Sequence, residues 1–255
     1  MLPQERQKQI LTRLQSRGQV LVQDLVRELT VSEDTIRRDL KDLAQSGLLK
    51  KVHGGAVLLS SVPYSHRERL SLNREAKRKL ANIAAELVQS NMLIFVDGAT
   101  TTLELPAALE DLPLSKITFV THSPVMAQRL SELGFAEIIL LGGKLIKDLL
   151  ITAGLDSIKQ AEQFRPDLSI ISAHGISVPA GATVESWEDA LLKRAFVERS
   201  AETVVIAGQE KLGYEASHMV LPTEKISYLV TDASKSDCLG FQDKGVTVLH
   251  QVRPT

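Results

Sequence analysis

Seven short apolar segments, separated by stretches with helical spacing, constrain the fold of this chain more than any other feature. Each segment is a nearly continuous aliphatic run, which is typical of strands buried on both faces. Strands that alternate with helices predict a largely parallel sheet with helices on both sides, and so an α/β fold. The segments are MLIFV, KITFVT, AEIILL, LSIISA, TVVIA, YLVT and VTVL, with helical stretches such as 101–110, 123–133 and 188–199 between them.

The first sixty residues predict a separate unit of three short helices. Apolar residues at helical spacing predict one helix from about residue 4 to 16 and a second over 22–29. Ile36, Leu40 and Leu43 predict the buried stripe of a third. Two helices joined by a short turn can place the second one in a DNA major groove.

Two adjacent arginines, Arg37 and Arg38, lie off the buried stripe of the third helix. Thr35 shares a face with Arg38, and Lys41 shares one with Arg37. A planar guanidinium suits bidentate contact with guanine or phosphate. Pairing with nearby carboxylates on a solvated surface is the alternative, and for an arbitrary helix it would rank first.

The segment GLLKKVHGGAVL, which follows the third helix, favours DNA binding. Lys50 and Lys51 lie among apolar residues, and HGG predicts a tight turn with His53 at its tip. This pattern predicts a basic β-wing beside a recognition helix. Residues 1–57 also carry a net charge of +3, against −4 for the remainder, which indicates an anionic partner at this end.

Polar and glycine-rich groups follow several predicted strands, at the edge where α/β sheets bind ligands. Together they predict a cradle for a small phosphorylated polyhydroxyl compound, with the phosphate at a helix start. Each group also has a simpler explanation, such as helix capping by threonine or solvation of lysine. The groups are Gly98, Thr100, Thr101 and Thr102 in DGATTT, His122 in THS, Gly142, Gly143 and Lys144 in GGK, His174 and Gly175 in AHG, and Lys211 in QEKLG.

The segment VSEDTIRRDLKDLAQSGLLKKVHGGAVL closely resembles the N-terminal signature of the DeoR family of bacterial transcription regulators. The family's winged helix-turn-helix carries TIRRDL followed by a wing with HGGA. The resemblance covers most of residues 6–57 and extends across roughly 74–235. It implies that the third helix contacts the operator through Ser32, Thr35, Arg37 and Arg38, and that Lys50, Lys51 and His53 belong to the wing. We add Lys41 to the predicted DNA-binding residues because it shares a helix face with Arg37.

The second part resembles DeoR-family sensor domains, which look like relatives of sugar-phosphate isomerases and bind phosphorylated metabolites. The resemblance implies effector contacts at Asp97, Gly98, Thr100, Thr101, Thr102, Gly142, Gly143, Lys144 and Lys211, with Glu185 and Lys193 as weaker candidates. The chain departs from the family pattern at Ala99, His122 and His174, and Gln209-Glu210 replaces small hydroxyl residues. These departures predict either an unusual effector or a pocket that has drifted.

We therefore expect a winged helix-turn-helix at 1–59, a linker at 60–73 and an effector-sensing α/β domain at 74–255. A sugar-phosphate isomerase with a DNA-binding head is the competing hypothesis, but the turn SAHGIS lacks the carboxylate base that such isomerases use. A partner-binding module without a small ligand is a third possibility. We expect a non-catalytic sensor that needs no metal or cofactor.

The compartment is predicted from what the sequence lacks. It has one cysteine, Cys238, no signal-peptide pattern and no apolar run of membrane-span length. We expect a cytoplasmic repressor of a sugar or related carbon-metabolism operon, with no membrane partner. Its expected partners are double-stranded operator DNA, a phosphorylated effector and further copies of itself, as a dimer or tetramer.

Overall fold

The computed structural model of the chain describes residues 2–17, 19–45, 49–52, 54–58 and 66–250. The predicted α/β class is confirmed. The helices are α1 (Pro3–Arg17), α2 (Val22–Leu29), α3 (Glu33–Gln45), α4 (His66–Ser71), α5 (Arg74–Ala85), α6 (Leu105–Leu109), α7 (Pro124–Leu130), α8 (Leu155–Ala161), α9 (Trp187–Val197) and α10 (Lys235–Gln242).

The strands form one large sheet and three small ones. They are β1 (Gln19–Leu21), β2 (Leu49–Val52), β3 (Gly55–Leu58), β4 (Leu93–Val96), β5 (Ile117–Thr121), β6 (Ala136–Leu140), β7 (Lys144–Ile146), β8 (Ile151–Ala153), β9 (Leu168–Ser172), β10 (Gly175–Ser177), β11 (Gly181–Val184), β12 (Glu202–Ile206), β13 (His218–Leu221), β14 (Tyr228–Val230) and β15 (Thr247–Leu249).

The N-terminal part of the chain, residues 2–58, is called the head below, and the part from residue 74 onwards is called the sheet domain. In the head, α1, α2 and α3 pack around one apolar core, against an antiparallel sheet of order β1-β3-β2. The three predicted helices and the two strands of the wing are therefore confirmed. Strand β1, which pairs with β3, had no sequence signal. The fully buried side chains of this core include Ile10, Leu14, Leu25, Ile36 and Leu40.

A buried ion pair joins α1 to α3 inside the head. Arg6 Nε donates to Asp39 Oδ2 at 2.5 Å, and Arg6 Nη2 donates to Asp39 Oδ1 at 3.1 Å. Gln7 Nε2 lies 3.4 Å from the same Oδ1. Only 4% of the Asp39 side chain is exposed. The carboxylate next to Arg38 in the sequence is therefore turned into the head and neutralised there.

The large sheet has seven parallel strands in the order β15-β14-β12-β9-β4-β5-β6. These are the seven predicted apolar segments. Alternate residues serve opposite faces: Ile94 and Val96 pack with α5, α6 and α7, whereas Phe95 packs with α8, α9 and α10. The carboxyl ends of β4, β5, β9 and β12 therefore meet at one edge, where the predicted ligand groups follow.

The stretch 60–73, predicted to be a linker, is more structured than expected. Its residues 66–71 form α4, and His66 is buried with 4% exposure; residues 60–65 lie outside the described part of the chain. Two small sheets, β10-β11-β13 and β7-β8, also had no sequence signal. Within the described ranges, no helix is both long and apolar enough for a membrane span.

Replacing Asp39 with alanine should destabilise the head by about 3–5 kcal/mol, because the buried Arg6 guanidinium would lose its counter-charge. Differential scanning calorimetry of the full chain should show the head transition at lower temperature. The control is Asp24→Ala, which removes an exposed ion pair with Arg27 and should cost less than about 1 kcal/mol. Equal effects of the two variants would contradict a structural role for the buried pair.

Candidate ligand cavity and DNA-binding helix

A cavity of about 490 Å³ lies at the carboxyl ends of the central parallel strands. The chain turns that follow β4, β5, β9 and β12 form its floor, and α4, α5 and α9 contribute walls. Among the predicted ligand groups, those that line it are Gly98, Thr100, Thr101, His122, His174, Lys193 and Lys211. Residues from five separate predicted motifs are thus brought to one place.

The remaining predicted groups do not line the cavity. They are Asp97, Thr102, Gly142, Gly143, Lys144, Gly175 and Glu185. Asp97 and Thr102, and likewise the two glycines, contact neighbouring protein groups instead. Glu185 accepts hydrogen bonds from Tyr214 Oη at 2.9 Å and Ser217 Oγ at 3.1 Å. Effector contact at these positions stays a prediction without geometric support.

Asp97 belongs to a buried ion network beneath the cavity floor. Lys193 Nζ lies 2.9 Å from Asp97 Oδ2 and 3.0 Å from Asp189 Oδ2. Asp97 Oδ2 also accepts from Ser172 N at 2.8 Å, and Asp97 Oδ1 accepts from Thr102 Oγ1 at 2.5 Å. A carboxylate with these donors would repel a phosphate. Asp97 and Thr102 therefore shape the loop after β4.

Lys193 keeps its charge although it is buried. Burial disfavours the ammonium, but Asp189 and Asp97 outweigh burial and raise the pKa of Lys193 above its ordinary value. Burial alone would raise the pKa of Asp189, but Lys193 and His122 lower it. Lys193 is thus neutralised by two carboxylates and holds little positive charge for a ligand.

Both glycines of GGK contact α8, and at Gly143 the contact requires glycine. Gly142 N donates to Gln160 Oε1 at 3.0 Å, and Ser157 Oγ donates to Gly142 O at 2.6 Å. A Cβ on Gly143 would lie 2.1 Å from Ser157 Oγ, and its φ of +150° also favours glycine. Close approach of α8 accounts for the glycine at position 143 without a ligand, whereas a Cβ at position 142 would make only an ordinary contact with Gln160.

Three cations reach the cavity without an ion-pair partner in the described part of the chain: Arg69, Lys77 and Lys211. Arg69 Nη1 donates to His174 Nε2 at 2.8 Å, Lys211 Nζ donates to Ser172 Oγ at 3.0 Å, and Lys77 Nζ donates to the Arg69 carbonyl oxygen. Burial, and then the charges of Lys211 and Arg69, lower the pKa of Lys77 to about 8. The cations therefore repel one another.

Arg69 and Lys77 had not been predicted as site residues. Arg69 lies in the predicted linker, and Lys77 lies on the amphipathic helix α5, where a lysine is usually solvated. Only the packing of α4 and α5 over the strand ends brings them to Lys211. No residue pattern in the sequence indicates this arrangement.

Three histidines, His66, His122 and His174, line the cavity. Burial, and then Lys193 and Arg69, lower the pKa of His174 to about 4, so its Nε2 accepts from Arg69. Burial also lowers the pKa of His66, whose Nε2 donates to Gly98 O at 3.0 Å. His122 stacks on Phe95 with 5.6 Å between the ring centroids. Its Nε2 lies 3.5 Å from Asp189 Oδ1, and its Nδ1 has no hydrogen-bond partner among the described residues.

Two further carboxylates, Glu210 and Asp232, line the side of the cavity near β12 and β14. Asp232 is exposed, and its Oδ1 accepts from Gln209 N at 2.7 Å. Carboxylate oxygens suit ligand hydroxyl groups. Within the described ranges, no cluster of three or more His, Cys, Asp or Glu side chains is placed to hold a metal ion.

Ser32 precedes helix α3 and caps its first turn, since its Oγ accepts from Thr35 N at 3.3 Å. Arg37 pairs with Glu33 at 2.6 Å, so the surface ion-pair alternative holds for this arginine. Arg38 and Lys41 are exposed and have no ion-pair partner in the described part of the chain. Of the wing residues, Lys51 is exposed, whereas the Lys50 side chain and His53 lie outside the described residues.

Comparison with known proteins gives two matching family models. Residues 6–62 match the DeoR-like helix-turn-helix domain, and residues 72–233 match the DeoR C terminal sensor domain. The regulator GolR of Listeria innocua is 33% identical over 97% of this chain and 98% of its own length. The repressor GlcR of Bacillus subtilis is 30% identical over 91% of both chains.

A more distant relative is the putative aga operon transcriptional repressor of Escherichia coli O157:H7, 27% identical over 96% of this chain and 93% of its own length. Among solved structures, the tetrameric eIF2B-beta2-delta2 complex of Chaetomium thermophilum gives a TM-score of 0.48. The likeness covers 70% of this chain and 63% of that chain at 12% identity. A D-ribose-5-phosphate isomerase gives 0.41 at 16% identity, over 55% of this chain and 54% of its own.

Replacing Lys193 with methionine should destabilise the sheet domain by about 3–5 kcal/mol at neutral pH, because Asp97 and Asp189 would remain buried without a counter-charge. Urea unfolding followed by fluorescence reports this domain alone, since Trp187 is the only tryptophan. The loss should shrink as the pH falls, because without Lys193 the burial of Asp189 raises the pKa of that carboxyl. The control is Lys244→Met, which removes an exposed pair with Glu224; a similar loss in both variants would contradict the network's role.

Proposed function

Since the chain belongs to the DeoR family of transcriptional regulators, we propose that it is a repressor that leaves its operator when a phosphorylated metabolite binds in the cavity. The relatives that match almost its full length are named as regulators, not as enzymes. The cavity agrees, because Asp189 is ion-paired with Lys193 and is not a free base. The isomerase hypothesis is therefore not retained.

The observation that carries the proposed ligand class is the cluster of Arg69, Lys77 and Lys211. Three like charges held close together without ion-paired carboxylates raise the electrostatic energy of the empty cavity. A phosphate monoester is a dianion with several acceptor oxygens and can bind these donors by charge-assisted hydrogen bonds. The cluster therefore favours a phosphorylated ligand over a neutral one.

The other end of the cavity suits a polyhydroxyl group. His122 follows β5 and Lys211 follows β12, which are three strand positions apart in the sheet, or ~14 Å at the usual spacing. His122 Nδ1 is buried and has no hydrogen-bond partner among the described residues, whereas Nε2 lies 3.5 Å from Asp189 Oδ1. At the opposite end, beside the cations, Asp232 and Glu210 offer acceptors for hydroxyl groups close to the phosphate. A phosphorylated sugar or polyol satisfies both ends.

The DNA-binding surface that we propose comprises the exposed residues of α3 and of the wing. Arg38, Lys41 and Lys51 contact operator DNA, and Arg37 joins them by exchanging Glu33 for a phosphate. An exposed pair of this kind contributes about 1 kcal/mol or less, so the exchange costs little. A homo-oligomer in the cytoplasm would place two heads on half-sites roughly 34 Å apart, or at multiples of that distance.

Operator release follows from linkage between the two ligands. An effector lowers DNA affinity only if its own affinity is higher for the DNA-incompetent arrangement of the protein than for the DNA-competent one. A typical coupling would change operator affinity by roughly 5–150-fold.

The double substitution Arg37→Ala/Arg38→Ala should weaken operator binding and reduce its dependence on salt, because each base contact is worth about 1–3 kcal/mol and each phosphate contact adds to the salt slope. Binding is measured by titration at two salt concentrations, on DNA upstream of the gene or on DNA selected from a random pool. Arg78→Ala is the control, since Arg78 is equally exposed and also pairs with a glutamate.

The same titration tests the ligand class. Wild-type protein should leave the DNA on addition of one or more of glucose 6-phosphate, fructose 1-phosphate, fructose 6-phosphate, ribose 5-phosphate or glycerol 3-phosphate, and not on addition of the unphosphorylated compounds. Binding of none of these, and of no inorganic phosphate, would overturn the proposed ligand class. A double variant that binds DNA like wild type would overturn the assignment of α3.

Anion affinity should fall as the pH rises through about 8, the pKa of Lys77 in the empty cavity. A bound dianion favours the protonated amine, so it is held more tightly below that pH than above it. Isothermal calorimetry with sulfate, which stays a dianion over this range, measures the effect without titration of the ligand. Lys77→Met should bind sulfate more weakly and with a smaller pH step, since burial also lowers the pKa of Lys211, whereas Lys79→Met, which removes an exposed lysine paired with Glu75, should keep the full step.

A further inference from the structure

Helix α4 connects the two domains and also forms one wall of the cavity. The matched family models end at residue 62 and begin at residue 72, so α4 (His66–Ser71) belongs to neither. His66 and Arg69 of this helix line the cavity. Because the chain passes from the head to the sheet domain through this segment, a shift of α4 against the sheet changes where the head is held.

In the described part of the chain, three of the hydrogen bonds that fasten α4 to the sheet domain lie at the cavity. His66 Nε2 donates to Gly98 O at 3.0 Å, and Arg69 Nη1 donates to His174 Nε2 at 2.8 Å. Lys77 Nζ donates to the Arg69 carbonyl oxygen. An occupant of the cavity therefore competes directly for the groups that hold α4 in place.

The hydrogen bond between Arg69 and His174 leaves the positive charge of the Arg69 guanidinium without a compensating negative charge. His174 is neutral at physiological pH, because burial, Lys193 and Arg69 lower its pKa to about 4. Arg69 Nε is buried and has no hydrogen-bond partner among the described residues. A guanidinium binds a phosphate dianion through two parallel charge-assisted hydrogen bonds, which are stronger than one bond to a neutral imidazole. An anion in the cavity would thus draw Arg69 away from His174.

The head touches the cavity wall at a second place. Helix α1 lies against the short 3-10 turn Gln209–Lys211, and Lys211 lines the cavity. The same helix holds α3 through the buried pair of Arg6 with Asp39. The recognition helix is therefore joined to the cavity by a non-covalent contact as well as by α4.

We propose that Arg69 is a contact for the effector's phosphate and that its move from His174 to the phosphate shifts α4, so that the position of the head depends on whether the cavity is occupied. This inference rests on the proposed function, in which the cavity binds a phosphorylated metabolite. It adds to that function a phosphate-binding residue, Arg69, and a segment, α4, whose shift moves the DNA-binding head.

The first experiment measures amide hydrogen exchange of the full chain with inorganic phosphate as the probe, while calorimetry records binding. In wild type, phosphate should change the exchange of residues 66–71 several-fold. Arg69→Gln should bind phosphate more weakly, and at saturation it should show no change at 66–71. Arg78→Gln removes an arginine from the same region but outside the cavity, and should behave like wild type.

The second experiment measures operator affinity with and without a saturating amount of the sugar phosphate that releases wild-type protein. The ratio for wild type should be roughly 5–150-fold, and for Arg69→Gln it should approach 1. Saturation separates the two roles of Arg69, because a variant that had lost only ligand affinity would recover the full ratio at high concentration.

The outcomes separate this inference from the proposed function. If phosphate binds but leaves exchange at 66–71 unchanged in wild type, or if saturated Arg69→Gln releases DNA with the wild-type ratio, the role of Arg69 is wrong and the ligand class stands. If neither phosphate nor any of the sugar phosphates binds to wild type, both are wrong.

Discussion

Lys193 is held between two buried carboxylates, and the geometry of the cavity depends on this arrangement. Asp97 follows β4, Ser172 ends β9, and Lys193 projects from α9. Lys193 Nζ contacts the carboxylates of Asp97 and Asp189 and donates to the Ser172 carbonyl oxygen at 3.0 Å. Buried ion pairs add little stability compared with apolar packing, but they are intolerant of rearrangement once formed. The network thus fixes how the central loops meet, and it leaves Arg69, Lys77 and Lys211 as the charges available to a ligand.

The sequence was most informative where one element's own burial decides its residues. The seven strands are buried on both faces, so each is a continuous apolar run. The helices of the head carry apolar stripes, and the stripe of α3 begins after the capping residue Ser32. Helix α4 has only six residues and no apolar period, so its position follows from tertiary contacts that no local pattern contains. The small sheets are short for the same reason, since they complete the domain and do not form its core.

Part of the site was predictable by residue type but not by role. Glycines and threonines after a strand indicate close backbone approach, but the partner can be a ligand or a neighbouring helix. At Gly143 the partner is Ser157, whereas Thr100 and Thr101 do line the cavity. A carboxylate such as Asp97 is similarly ambiguous, because its role depends on which donors surround it. Charge alone placed Lys211 correctly at the strand ends and gave no indication of Arg69 or Lys77.

The position of α4 also bears on how heads and sensors can be exchanged between related regulators. The matched models suggest a junction anywhere between residues 62 and 72, as though this stretch were a neutral connector. A hybrid joined after Ser71 would give the recipient sensor a foreign cavity wall, lacking the arginine matched to His174. A hybrid joined before His66 would carry the wall together with its cavity. The modular unit of this protein is therefore the sensor with its own incoming helix, and the natural seam lies on the head side of α4.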